Sequence, residues 1–332
     1  MYRIGIDASG GDFGETEVIK AVAEYLKVNA DIQISIFGVK GIIDREIEKY
    51  PFLKNNANYT VINSDEKIEM NDHPVIAIRT KTNSSLVIAT NSLINHSIDA
   101  LISAGNTGAL VALAQFYLKP IQGVDRPVIG AIVPTSLTPM LLIDSGCNVD
   151  SKPEWLYQYA LLADSYYRLM FNRVPSIGLL SIGVEENKGN NLTFSAYKLI
   201  SNNNKLNFIG NVEARELARG ICDVVITDGF TGNVFLKTYE GTAKLMLELI
   251  KTQINSSLIS KIGGLLIKPS LKKLLKKYDA KVYGGAPILG ANSLIIKCHG
   301  NSKSGEFITA ISQAKTLIEK DIINVLRNNF KE

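Results

Sequence analysis

Short β-rich runs alternate with helix-period segments along almost the whole chain, and this alternation leaves few architectures open. The apolar runs at residues 3–7, 32–38, 59–63, 100–103, 128–133, 140–144, 177–181, 207–210, 223–227 and 293–298 read as strands. Segments 15–28, 84–96, 107–118, 153–171, 192–201, 212–218, 232–250 and 304–327 carry apolar residues at helical spacing. Strands interleaved with helices build βαβ units around a mainly parallel sheet. At 332 residues the chain buries a full core, as one large α/β domain or as two lobes. Ligands in such folds sit beyond the carboxyl ends of the strands.

Those ends carry glycine. Gly10-Gly11-Asp12 follows the first strand, and Gly105, Asn106, Thr107 and Gly108 follow the strand at 100–103. Asp228, Thr231, Gly232 and Asn233 follow the strand at 223–227, and Gly284-Gly285 stands before Ala286-Pro287. A weaker run, 185–190, holds Glu186, Lys188 and Asn190. A glycine turn feeding a helix exposes backbone N–H groups beside the positive end of the helix dipole, and such turns hold anions. Several of them point to one composite anion site. Taken singly, Asn106, Thr107, Thr231 and Asn233 also fit plain helix N-caps.

Cations stand near these turns. Arg79 and Lys81 precede Ser84-Ser85, Arg126 precedes the strand at 128–133, and Lys237 lies one turn beyond Asn233. Any of them can neutralise a phosphate, or form an ordinary surface ion pair. Asp7, Asp12, Asp144 and Asp228 lie at or just past strand ends, where carboxylates orient cations, cap turns or act as bases. His299 follows the last strand, placed for a general acid or for stabilising a turn.

The absences bound the chemistry. There is no GxGxxG with an acidic residue about 20 positions on, no Walker sequence and no GxSxG. Three scattered cysteines and three histidines show neither disulfide nor metal spacing, so no metal is expected. A net charge of +4 is too mild to imply nucleic acid. The chain starts directly in a strand, which leaves no room for a signal peptide, and no apolar run approaches the ~20 residues that span a bilayer.

Residues 251–281 differ in texture. Leu258, Leu265 and Leu266 are among nine aliphatic residues interleaved with Lys261, Lys268, Lys272 and Lys273, and Asp279 alone offsets the lysines. Gly263-Gly264 and Pro269 are expected to divide the segment into two short helices. An apolar stripe opposite lysines suits an anionic membrane surface or an acidic protein partner; a hairpin packed on the core with a solvated face is the alternative.

The set IDASGGD, RTKTNSS, SAGNTGAL, LLIDSGCNVD, GVEENKGN, DGFTGNVFLKTYEG, YGGAPILG and IKCHGNS resembles the bacterial phosphate acyltransferase (PlsX) family, in order over nearly the whole chain. Ser9, Cys147 and Asn187 stand where the family pattern suggests Met, Ala and an acidic residue. The resemblance implies a two-lobed three-layer αβα fold like isocitrate dehydrogenase and phosphotransacetylase, with one catalytic domain over residues 1–332. It implies transfer of a fatty acyl group from acyl-carrier protein to inorganic phosphate, with no cofactor. The acyl phosphate then feeds a membrane glycerol-phosphate acyltransferase. A homodimer at the inner face of the cell membrane is implied too.

On that basis phosphate attacks the thioester directly. Asn106, Thr107, Thr231 and Asn233 would hold phosphate or the thioester oxygen, beside the glycines already named. Lys188, with Lys237 or Arg79, would offset charge, Lys188 or His299 would protonate the leaving thiol, and Asp7 and Asp228 would orient cations. A covalent route through Cys147 is the lesser alternative. The rival readings are a dehydrogenase or aldolase-like enzyme on the same scaffold and a non-enzymatic scaffold docking carrier protein or lipid.

Overall fold

The computed structural model describes residues 1–277 and 284–330. Its strands are β1 (Tyr2–Asp7), β2 (Ile32–Gly38), β3 (Tyr59–Asn63), β4 (Ala100–Ser103), β5 (Val128–Val133), β6 (Met140–Ile143), β7 (Ile177–Ser181), β8 (Phe208–Glu213), β9 (Val224–Ile226), β10 (Ala286–Leu289) and β11 (Leu294–Lys297). The helices of the first half are α1 (Gly14–Leu26), α2 (Lys40–Ile47), α3 (Pro51–Lys54), α4 (Pro74–Thr80), α5 (Ser85–Ile94) and α6 (Thr107–Leu113). Those of the second half are α7 (Pro153–Phe171), α8 (Asn191–Ser201), α9 (Ala214–Leu217), α10 (Gly229–Ile254), α11 (Leu258–Lys277), α12 (Ser304–Glu319) and α13 (Ile322–Asn329).

All these strands join one sheet, in the order β3-β2-β1-β4-β11-β10-β5-β6-β9-β7-β8. The blocks β3-β2-β1-β4-β11 and β6-β9-β7-β8 are parallel within themselves. Only β10 and β5, between the blocks, pair antiparallel with their neighbours. The sheet is therefore mixed α/β and mostly parallel. Strands β4, β6 and β9 are buried at every residue, as expected where helices cover both faces. Helix α7 carries fully buried Tyr159, Tyr166 and Tyr167 over the second block. Among the described residues no helix is long and apolar enough to cross a membrane.

Four sequence expectations need correction. Strand β10 replaces part of what reads as a glycine turn, because Pro287 sits in a strand whose pairing with β5 begins only at Ile288. The expected helix at 212–218 gives its first two residues to β8, leaving the four residues of α9. The long C-terminal helix breaks at Asp321, which adopts a left-handed φ of 52°. The segment after residue 257 is one helix rather than two, with Pro269 inside it. Proline removes one i→i−4 hydrogen bond, but Leu265 is exposed, so water can satisfy the freed carbonyl. Residues 278–281 of that segment lie outside the described residues.

Candidate active site

The site forms where the sheet parts. The β10–β5 ladder is only two residue pairs long, Ile288 with Ile129 and Leu289 with Val128. Beyond it β5 stays with β6, whereas the start of β10 stays with β11. A cleft of about 650 Å³ opens between them. Ile129, Ala131, Val133 and Pro134 of β5 and its exit, with Leu236 of α10, supply an apolar wall. Thr107, Lys297, His299 and Asn301, from the ends of β4 and β11, supply a polar one. Asn233, Lys237, Glu240 and Lys244 of α10 line it too, as do Gly284 and Gly285. Gly284 has φ +86°, and a side chain there would strike Gln313, whose Oε1 accepts the Gly285 N–H at 3.0 Å.

Under the polar wall lies Asp7, fully buried at the end of β1. Ser85 and Ser103 donate their hydroxyls to it at 2.7 and 2.6 Å. Burial nevertheless raises its pKa. A methyl on Gly10 would come within 2.6 Å of the Asp7 carboxylate, so glycine is required for the turn to close over it. Gly11 follows at φ +85°. The Asp12 N–H donates to Gly300 O at 2.7 Å, tying the first loop to the loop that carries His299.

Asn106 works as a latch. Its Oδ1 accepts the Ala109 N–H at 3.0 Å as the cap of α6. Its Nδ2 donates to the carbonyls of Glu69, Met70 and Asp72 at 3.1, 3.1 and 3.3 Å. The same loop is held by Lys81, paired with Asp72 at 2.5 Å and donating to Lys67 O. That hydrogen bond lowers the Asp72 pKa. Gly108 packs on Pro74, which a larger residue would hit.

The opposite block is organised by Asp144. Its carboxylate accepts the backbone N–H groups of Gly146, Cys147 and Asn148 and the Asn148 amide, at 2.7 to 3.1 Å. Burial still pushes its pKa up to about 6. Gly232 packs directly on the Asp144 carbonyl, where any side chain would overlap it, and this contact sets the start of α10. Asp228 caps that helix, accepting both the N–H and the hydroxyl of Thr231 at 2.8 and 2.7 Å. Asn233, on the next turn, stands over Gly146. Burial pushes the Cys147 thiol well above its ordinary pKa, with Asp144 adding to the effect. That thiol is a poor nucleophile.

Comparison with known proteins gives the chain's family and its fold neighbours. The profile of a family described as "Fatty acid synthesis protein" matches residues 2–325. The phosphate acyltransferase of Clostridium botulinum is 42% identical over 332 residues, covering 99% of both chains. That of Caldicellulosiruptor bescii is 44% identical over 330 residues, covering 99% of this chain and 98% of the other. The chain belongs to the phosphate acyltransferase family. It is accordingly a transferase. In fold it is similar to a phosphotransacetylase from Streptococcus pyogenes, with TM-score 0.61 and 16% identity over 96% of this chain and 94% of that one. A branched-chain phosphotransacylase from Enterococcus faecalis gives TM-score 0.56 and 14% identity, over 96% and 99%.

Within the family's fold, the sequence candidates divide. Thr107, Asn233, Lys237, Gly284, Gly285 and His299 meet in the cleft. Asp7, Gly10, Gly11, Gly108, Asp144 and Gly232 support it from behind, through the contacts above. Asn106, Lys81, Asp228 and Thr231 have their polar atoms engaged in caps and latches. Asn190 caps α8 in a reciprocal pair with Thr193. Lys188, in the loop after β7, and Arg79, at the end of α4, are exposed and do not line the cleft. Ser9, which replaces the expected Met, donates to Glu15 at 2.7 Å.

Sequence reasoning missed Lys297, the last residue of β11 and part of the cleft lining. The visible signal was a charge ending the apolar run Leu294–Lys297 one position short of a cysteine. Next to it, His299 faces Glu240 at 3.9 Å. Partial burial lowers the imidazole's pKa, with Lys297 and Lys237 contributing and Glu240 opposing.

Proposed function

We propose that the chain transfers a long-chain fatty acyl group from acyl-carrier protein to inorganic phosphate, giving acyl phosphate for phospholipid synthesis. The observation that carries this reading is the two-faced cleft, with a cationic wall beside an apolar one. One wall suits phosphate and the other an acyl chain. Phosphate is already anionic near neutrality, so no strong base is required; position and charge complementarity supply the catalysis. Thr107 and Asn233 hold phosphate or the thioester oxygen, Lys237 offsets charge, and His299 stands where the leaving thiol needs a proton. Lys188 reaches this chemistry only if its loop meets the bound carrier protein. The raised thiol of Cys147 favours direct attack over an acyl-enzyme.

The helical pair α10–α11 is proposed as the docking element. Ser260, Gly264 and Leu271 share the half-buried face of α11, and Gly264 packs on Ile254 of α10. On the outer face Leu258, Ile259 and Leu266 are 77% to 84% exposed, with Ile262 and Leu265 between them. Farther along the same face come Lys272 and Lys273. An apolar patch continued by cations suits an anionic membrane or acidic carrier protein. Peripheral attachment to the inner membrane face, delivery to a glycerol-phosphate acyltransferase, two lobes about the cleft and a homodimer complete the proposal.

Purified protein incubated with palmitoyl-acyl-carrier protein, with and without phosphate, tests the reaction. Phosphate-dependent release of free thiol and acyl phosphate is expected. Thiol release without phosphate would make the chain a thioesterase instead. Leu265→Glu with Leu266→Glu should abolish binding to anionic liposomes; unchanged binding removes the membrane role.

A further inference from the structure

Lys297 is a cation at the end of a buried strand that the mechanism above leaves unused. It enters the cleft from the floor of the polar wall, at the carboxyl end of β11. Its Nζ donates to two backbone carbonyls, Ala104 and Cys298, rather than to a carboxylate. The acids nearest in charge effect are Asp7 of β1 and Asp12 of the following loop, with Lys237 of α10 opposing them. Asp7 is itself occupied by Ser85 and Ser103. Among the described residues this largely buried ammonium group is hydrogen-bonded by carbonyls alone, which is costly unless an anion joins it. The groups around it fit such a guest: Thr107 and Asn233 offer a hydroxyl and an amide in the same cleft.

We infer that Lys297 is the anionic substrate's principal anchor, the ammonium group that receives a tetrahedral oxyanion in the cleft. This rests on the phosphate-transfer reading and deepens it by naming the residue that recognises phosphate. Burial lowers the Lys297 pKa to about 8, Lys237 adding to the lowering while Cys298, Asp7 and Asp12 oppose it. The anchor is therefore charged at pH 7 and discharges as pH rises through that value. His299, Cys298, Glu240, Lys244 and Glu306 line the same cleft. The His299 pKa is lowered and that of Cys298 raised to about 12, so neither changes charge between pH 7 and 9.

Sulfate is the chosen probe, because it is tetrahedral and does not itself titrate in this window. Its affinity is measured by calorimetry on the full chain at pH 7 to 9, alongside the phosphate KM in acyl transfer. Wild type should bind sulfate evenly up to about pH 8 and then lose affinity, approaching tenfold per pH unit. Lys297→Arg, always charged, should keep binding and flatten the profile. Lys297→Met should weaken sulfate by at least about tenfold at pH 7 and raise the phosphate KM far more than the acyl-donor KM. Lys237→Met removes one of the groups that lower the Lys297 pKa, so it should move the break to higher pH without abolishing it. Wild-type sulfate affinity and phosphate KM in folded Lys297→Met would overturn the anchor while leaving the transferase reading intact. No anion binding and no phosphate-dependent turnover by wild type would sink both.

Discussion

Replacing Asn106 separates a latch from a ligand. The side chain is 6% exposed and makes four contacts: one cap acceptance and three donations into the loop at residues 69–72. An amide has two hydrogens, so the three donations amount to two full bonds. A cap contributes about 1 kcal/mol and each bond roughly 0.5–1.5 kcal/mol. Asn106→Ala should thus cost about 2–4 kcal/mol, a melting loss of roughly 3–6 °C for a chain this long. Asn106→Ser keeps a capping oxygen and should recover about 1 kcal/mol of that. Scanning calorimetry supplies the stabilities and an acyl-transfer assay the phosphate KM. If Asn106→Ala melts like wild type but raises the phosphate KM tenfold, its amide serves the substrate and the latch reasoning fails.

Three further outcomes follow from contacts described above. Gly232→Ala places a methyl on the Asp144 carbonyl and should destabilise by about 3 kcal/mol or more. Gly241→Ala, with no atom within 4 Å of the added methyl, should be neutral or stabilising, and chemical denaturation compares the two. Cys147→Ser should keep turnover within about threefold, and intact-mass spectrometry during turnover should show no acyl adduct; an adduct on Cys147 would restore the covalent route. Lys297 binds its proton less well folded than unfolded, its pKa falling from 10.5 to about 8. That penalty is fully present below about pH 8 and disappears as pH rises toward 10.5. Lys297→Met should therefore gain stability over wild type at pH 7, by at most about 3 kcal/mol before solvent screening, and the gain should shrink by pH 10. A gain that does not change with pH would refute the assignment.

Much of the fold was legible because buried parallel strands leave unambiguous apolar runs, and all ten expected strands are present. The eleventh, β10, was hidden by Gly284, Gly285 and Pro287, which signal a turn wherever a strand is short and ends at a split. Boundaries failed where tertiary packing outweighs local signals, as at Asp321 and Pro269. The site was legible as a set of loop ends rather than as roles. Glycine turns reveal themselves in sequence, yet whether an Asn at such a turn faces substrate or holds a neighbouring loop depends on contacts far along the chain. Asn106 reaches back to residues 69–72, and no local pattern encodes that. Lys297 escaped notice because a lysine at a strand end is ordinary; only burial makes it unusual.

The insertion of β11 beside β4 has a consequence for how the protein is made. Leu294 pairs with Ala100, so a strand near the end of the chain completes a block begun by the first hundred residues. During synthesis the apolar edge of β4 emerges long before its partner, and the cleft's cationic wall does not exist until residues 294–301 have left the ribosome. A nascent chain therefore carries an unpaired sheet edge for most of its translation. Products truncated before β11 would lack Lys297, His299 and Asn301 of the cleft, and the exposed edge would make them substrates for chaperones.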